Sequence, residues 1–460
     1  MPDFDNFLRE NRDLFEAALC EFLRIPSVSA DSEFQSDMRR AADWMDQQFQ
    51  SLGFASEIIP TDGHPIVYAE TTPVEGAPTV LVYGHYDVQP PDPLDQWTTP
   101  PFEPTIRDGN VYARGATDDK GQMLTHIHSA YTWLQTEGSL PLQIKYLIEG
   151  EEEVGSEHLE GFLEKEHDKL AADIAVVSDT CQFARGQPAI TYGLRGICYF
   201  ELRLRGPKQD LHSGTFGGCI HNPANVISKL LASLVNESGK IQIPGFYDEV
   251  RPLTDAEREQ LGSLPFNESA FMQQIGVEDL GGESGYSTLE RRWARPTYDV
   301  NGIWGGYQGE GAKTVIPCEA GAKFSFRLVP DQDPEKITAS LRTFLQENLP
   351  SGIQSELIDF HAAPGIVVPL ESPYVQAAAH AVETGFGRSP VFIREGGSIP
   401  IVNSFRNLLG IDTLLLGWGL DDDNTHSPNE KFSLADYHRG IKASTYLWQE
   451  LSKIESKKVT

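Results

Sequence analysis

No stretch of this sequence approaches the roughly 18 consecutive apolar residues that a membrane-spanning helix needs. The opening MPDFDNFLRE has neither the basic segment nor the apolar run of a secretion signal, so a cytoplasmic protein is expected. Positive charge is scarce. Lys and Arg number 37 against 67 Asp and Glu, leaving −30 at pH 7, a balance that repels phosphate backbones and anionic lipid headgroups. Neither nucleic acid nor a membrane is expected as a partner. Cysteine is sparse as well: Cys20, Cys181, Cys198, Cys219 and Cys318 are widely spaced and contain no CxxC pair, which argues against a disulfide framework or a thiolate zinc site. They read as buried reduced thiols. No G-x-S-x-G nucleophile elbow occurs. Gly217-Gly218 and Gly396-Gly397 lack the Lys-Ser/Thr or spaced glycines that cradle phosphate.

What is present is ample apolar material, 40% of 460 residues, enough for two or three domains. Up to residue 196 helical and strand patterns alternate. Amphipathic spacing predicts helices over Phe7 to Leu23, Met38 to Leu52 and Lys120 to Leu134. Short apolar runs predict buried strands at Thr79 to Tyr83, Leu142 to Ile148 and Ile174 to Val177. This is the rhythm of an α/β sheet. After Gly196 the order becomes strand (Tyr199 to Arg205), helix (Asn222 to Val235), strands (Tyr298 to Trp304, Gly321 to Leu328), helix (Pro334 to Leu349), strand (Gln354 to Phe360). That is the ferredoxin-like order, broken by an irregular Lys240 to Arg295 insertion expected to hold one or two short helices. A helix at Pro373 to Glu383 and a strand at Ile411 to Leu416 resume the first style. The expected architecture is a mixed-sheet α/β domain from residues 1–196 and 363–460, interrupted by an α+β domain over 197–362.

The acidic and imidazole side chains gather where predicted strands end. His85 and Asp87 follow the first strand, Asp118 and Asp119 open a helix, Glu149 to Glu153 follow another strand, Asp179 a third, and His426 lies in a loop after the last. Ligands of open α/β sheets bind beyond the strand carboxyl ends, so these loops can converge on one metal-binding crevice. Each piece alone has a plainer reading. His-x-Asp is commonly a hydrogen-bonded turn, Asp118-Asp119 a helix cap, and an acidic run a solvated surface. In extended chain, though, residues i and i+2 share a face, so Asp87 can accept a hydrogen bond from the second ring nitrogen of His85 and fix its tautomer, as metal-bound histidines require. Carboxylates crowded behind a buried strand also call for a cation. The remaining histidines carry no ligand pattern; His126 and His128, two apart on a helix, face different ways.

The strings GHYDVQP (84–90), RGATDDKG (114–121), EGEEEVGS (149–156), SDT (178–180), DLHSGTFGG (210–218), KTVIP (313–317), FSFRLVP (324–330), REGGSIP (394–400) and NTHSPNE (424–430) together resemble the M20 family of dinuclear metallopeptidases. The similarity is to the dipeptidase branch that includes cytosolic nonspecific dipeptidase and carnosinases. The resemblance covers nearly the whole chain. It implies a catalytic domain of the dinuclear zinc aminopeptidase type and an inserted lid and dimerisation domain. It also implies that Asp118 bridges two metal ions, with His85 and Asp179 completing one site and Glu153 and His426 the other. Glu152 matches the general base and Asp87 the carboxylate behind His85. His212 matches a residue that reaches the substrate carbonyl, in this family often across a dimer. Thr314, Arg327 and Ser398 match positions that hold the carboxyl-terminal end of the substrate. Taken alone, Arg327 reads as a surface ion pair and Thr314 and Ser398 as turn residues.

The chemistry this implies is metal-dependent hydrolysis of the peptide bond of dipeptides or short peptides. Two divalent cations balance the clustered acids and activate water, Glu152 carries the proton, and His212 steadies the oxyanion. Arg327 suits a free carboxylate because its planar fork donates two hydrogen bonds. Two imidazoles with carboxylates accept zinc, the first expectation, or manganese or cobalt. A homodimer is expected. The alternatives are an N-acyl or N-carbamoyl amino acid amidohydrolase on the same scaffold and, less favoured, a non-catalytic metal-binding homologue.

Overall fold

Apolar runs too short for helices pair side by side as strands in the first half of the chain, as a computed structural model describing residues 3–397 and 399–456 shows. Two compact units divide the chain. One comprises Met1–Tyr192, Val368–Ile393 and Ser404–Thr460, the other Gly193–Val367 and Arg394–Asn403. The second thus takes in a short segment near residue 400 that lies beyond the expected interruption at 197–362.

In the first unit the strand Thr79–His85 lies between Gln143–Glu149 and Ile174–Val177, parallel to both. Thr413–Gly417 adds in parallel beside Ile174–Val177, and Ala189–Leu194 antiparallel beyond it. On the other side Ile66–Glu70 and Ala55–Ile59 extend the sheet antiparallel. The sheet is therefore mixed, as expected, and its three central parallel strands end on the same edge. Their residues are apolar on both faces because helices cover both. Gln35–Ser51 buries Met38, Ala41, Ala42, Met45 and Phe49, the predicted stripe, together with Trp44. Lys120–Glu137 is buried almost all round and stops at Gly138, whose φ of +77° is the left-handed cap that favours glycine. Pro373–Phe386 and Leu434–Leu451 pack together so closely that a Cβ on Gly385 would meet that of Ala443 at 2.6 Å. Each fully buried Leu, Ile or Phe here contributes roughly 1.5–3 kcal/mol.

In the second unit four antiparallel strands lie in the order Thr297–Gly305, Glu319–Leu328, Gly196–Arg205, Gln354–Ala363. With helices Pro223–Ser233 and Pro334–Asn348, this is the ferredoxin-like arrangement. Alternation does the sorting: Cys198, Phe200, Leu202 and Leu204 enter the core with Phe324, Phe326 and Leu341, while Arg203 and Arg205 are exposed. Asn222 and Asp333 cap the two helices, each followed by proline.

Several expectations are corrected. The first predicted helix is two, Phe4–Glu10 and Arg12–Leu23, interrupted at Asn11, whose side chain bonds Phe7 O. The insertion holds three helices, Asp255–Ser263, Glu268–Ile275 and Thr288–Trp293; the first and last carry capping boxes, Thr254 with Glu257 and Ser287 with Glu290. Of the five cysteines only Cys198 is buried, and Cys219 is exposed. Among the described residues no helix is long and apolar enough to cross a membrane.

Candidate metal centre

The central parallel strands deliver their ends to one place. His85 is the last residue of its strand, Asp179 lies two past Val177, and Glu152 and Glu153 form a tight turn just after Glu149. Asp118 precedes the helix Lys120–Glu137, and His426 comes from the loop between Thr413–Gly417 and Lys431–Ser433. The structure brings all of these together except Glu152 and Asp87 into two trios. In each of them, His85 with Asp118 and Asp179, and Asp118 with Glu153 and His426, the ligand atoms lie within 4.8 Å of one another. Asp118 belongs to both. Its Oδ1 is 3.2 Å from His85 Nε2 and its Oδ2 is 2.9 Å from His426 Nε2, which is also 3.2 Å from Glu153 Oε2.

Whether a cation fits is tested by His85. The ring is fully buried, and its Nδ1 donates to the Asp87 carbonyl oxygen at 3.1 Å. That leaves Nε2 pointing at Asp118 without a properly aligned hydrogen bond. A buried lone pair aimed among carboxylate oxygens is the arrangement of a metal ligand whose other nitrogen is fixed. The donor set of imidazoles and carboxylates fits a divalent ion. The tautomer is set by the main chain of Asp87 rather than its carboxylate: Oδ1 is 3.4 Å from Nδ1, and Oδ2 accepts from the Glu153 amide at 3.1 Å. Asp87 therefore tethers the Glu153 turn as well.

Electrostatics point the same way. Burial pushes Glu152 up to about 7, against the pull of His85 and with the push of Glu153, Asp118 and Asp87. Burial also raises Asp179 and Asp119 well above the usual carboxylate range, helped by neighbouring acids. Burial alone would raise Asp118 too, but the His426 and His85 imidazoles beside its two oxygens outweigh it and hold the carboxyl down. The same contacts, Asp118 first and then Glu153, raise His426 to about 10. Without a cation, then, protons must neutralise this cluster; divalent ions can take their place.

In the second unit His212 ends a short strand, Leu211–His212, paired with Val315–Ile316. The side chain is exposed; its Nδ1 accepts from the Gly214 amide at 3.0 Å. The next amide, Ser213 N, donates to Thr314 O at 3.1 Å, which sets His212 beside Thr314. Arg327 is half-buried on Glu319–Leu328, opposite Thr297 and Ile197. Burial lowers its pKa, opposed by Asp299. Ser398 lies outside the described residues.

Sequence reasoning missed side chains that hold these groups. Gln89 donates to Glu153 Oε2 at 2.8 Å, and the Tyr83 hydroxyl to Glu149 at 2.6 Å. His126 Nε2 meets Ser178 Oγ at 2.8 Å, next to Asp179. Burial pushes His126 and His128 down to about 3, with His438 adding to the push on His128, so both stay neutral. Gln89 lies inside the GHYDVQP string, the one signal that could have marked it.

A sequence model of peptidase family M20/M25/M40 matches residues 81–450. The chain belongs to this family. Two M20 relatives are similar over most of its length. The Cys-Gly metallodipeptidase dug1 of Schizosaccharomyces pombe is 34% identical, covering 97% of both chains. The Beta-Ala-His dipeptidase of Homo sapiens is 35% identical, covering 94% of this chain and 86% of that protein. Among solved structures, the M20 family metallo-carboxypeptidase Sso-CP2 from Sulfolobus solfataricus is 34% identical with a TM-score of 0.85, covering 96% of this chain and 99% of the other.

Proposed function

We propose that this M20 chain is a metal-dependent dipeptidase that hydrolyses the peptide bond of dipeptides or short peptides with two divalent ions per chain. The observation that carries the reading is Asp118, with one carboxylate oxygen directed to each of two ligand trios. Relatives named as dipeptidases, similar over nearly the full length, support the substrate class. His85, Asp118 and Asp179 would hold one ion, and Asp118, Glu153 and His426 the other. When bound, the ions supply Lewis acidity toward a water and the scissile carbonyl.

The chain's own residues do the rest. Glu152 accepts the proton of the attacking water and passes it to the leaving amine; its carboxyl, poised near neutrality by burial, suits both transfers. Asp87 fixes His85 and the Glu153 turn. His212 donates to the carbonyl oxygen as negative charge develops there, and a homodimer is the expected assembly. Thr314, Arg327 and Ser398 bind the free carboxylate, which favours exopeptidase action. Zinc is the first expectation for the ions, manganese or cobalt the next, and the cytoplasm the expected location.

The test is amine release by metal-depleted protein re-supplied with Zn²⁺ or Mn²⁺, against dipeptides, tripeptides and N-acetyl amino acids. Metal-dependent cleavage of dipeptides is expected. Cleavage of acylated amino acids alone would move the reading to an amidohydrolase, and no turnover with both ions bound would make the chain a silent homologue.

A further inference from the structure

Glu430 lies outside the ligand set, four residues beyond His426, and is fully buried. Its Oε2 accepts from Arg114 Nη1 at 2.8 Å and from the Gly115 amide at 2.9 Å; its Oε1 accepts from the amides of Thr117 at 2.9 Å and Asp118 at 3.1 Å. These four donors use essentially the whole acceptor capacity of a carboxylate. Three of them are backbone groups of the loop that presents Asp118, more than 300 residues away in sequence. Around them, Thr117 Oγ1 is 2.6 Å from Lys431 O and 3.0 Å from Asp423 Oδ2, and Lys431 Nζ donates to Asp423 Oδ1 at 2.7 Å.

The loop between Asp423 and Glu430 is strained. Asn424, His426 and Asn429 have φ of +57°, +59° and +63°, a region side chains other than glycine's occupy at a cost, so surrounding contacts must enforce it. Asp423 anchors one end through Lys431, Thr117 and the Leu420 amide at 2.8 Å. Glu430 anchors the other. We propose that Glu430 is a positioning residue of the metal centre: its carboxylate pins the Gly115–Asp118 backbone to the foot of the His426 loop, setting the distance between the shared ligand Asp118 and His426. This rests on the metal-dependent reading above.

The test is Co²⁺ binding to metal-depleted protein, followed by calorimetry and by the visible absorption of the bound ion, with dipeptide kinetics on the Co²⁺-loaded enzyme. Glu430→Gln keeps the shape but turns an NH2 group toward one pair of N–H donors. Folded Glu430→Gln protein is expected to bind Co²⁺ about tenfold or more weakly, the usual range for losing a group that orients a ligand. Its visible spectrum should differ from wild type, and kcat should fall with little change in KM. A residue serving the fold alone would lower the melting temperature and leave the Co²⁺ spectrum as it was. Glu430→Asp keeps the charge and draws the carboxylate back by one methylene, so it should fall between wild type and Glu430→Gln; if Glu430→Gln does not fold, this variant decides. Wild-type Co²⁺ affinity and spectrum in the folded variant overturn the proposal. Failure of wild-type protein itself to bind Co²⁺ would overturn the metal centre, a different outcome.

Discussion

Around Asp118, His85 and Asp87 are buried, Asp118, Asp179 and Glu153 partly so, and only His426 among the ligands is exposed; Asp87 holds His85, Gln89 and the Asp87 carboxylate hold Glu153, and Glu430 holds the Asp118 backbone. Around His212 the contrast is complete. Residues 214 to 221 are all exposed, Phe216 and Ile220 among them, and the His212 ring is tied locally, accepting from the Gly214 amide. The first region is arranged before any ligand arrives, at the cost of crowding acids in a buried place. The second leaves its imidazole reachable, and its stability owes little to that side chain. A site that must keep charges together needs a lattice; a group that must meet a substrate's oxygen needs access.

The comparison can be broken at its strongest point first. Glu152→Gln should retain both ions yet lose about 10²–10⁴ in kcat, the usual contribution of a positioned base, as read by metal analysis beside turnover; a wild-type rate would remove Glu152 from the base role. His212→Ala should lower kcat by about 10²–10³ with metal content and melting temperature unchanged. Parallel losses of metal or stability would mean that the exposed segment is part of the lattice after all. A smaller effect is expected from Tyr83→Phe, which removes the hydroxyl donated to buried Glu149 and should cost about 1–3 kcal/mol in chemical denaturation. An unchanged midpoint would show that this bond holds nothing.

Acidity sharpens the contrast further. Glu152 must be ionised to act, and its pKa stands at about 7 in the absence of cations. Nearby cations favour the charged form, so kcat/KM should fall as pH drops, with a midpoint below 7, and that limb should vanish in Glu152→Gln. At the bottom of the scale, Cys219→Ser in the exposed segment should shift stability by less than about 0.5 kcal/mol.

Much of this was legible in the sequence for a physical reason: strands buried on both faces leave continuous apolar runs, so the polar residues that end them stand out. His85, Asp179 and the Glu152-Glu153 pair are conspicuous because each follows such a run. The ferredoxin-like order was legible through period-2 alternation in Gly196–Arg205. Less was visible where contacts join distant segments. Nothing near Glu430 announces Gly115 or Thr117, and Asp423 looks like any acid in an acidic loop. The strand Ala55–Ile59 was missed because it sits at the sheet edge, half exposed, with no apolar run. The break at Asn11 was missed because apolar spacing continues across it while the hydrogen-bonding pattern does not.

The central claim is that the cradle around Asp118 binds two ions in place of protons. It is tested most directly by titrating metal-depleted protein with Zn²⁺ or Mn²⁺ at pH 7 in buffers of different ionisation enthalpy. His426, raised to about 10 by Asp118 and Glu153, holds a proton at pH 7 that an ion must displace, so affinity should weaken as pH falls and strengthen toward 10. The account predicts two ions bound per chain with net proton release. One ion or none, or binding of two without proton release, would contradict it.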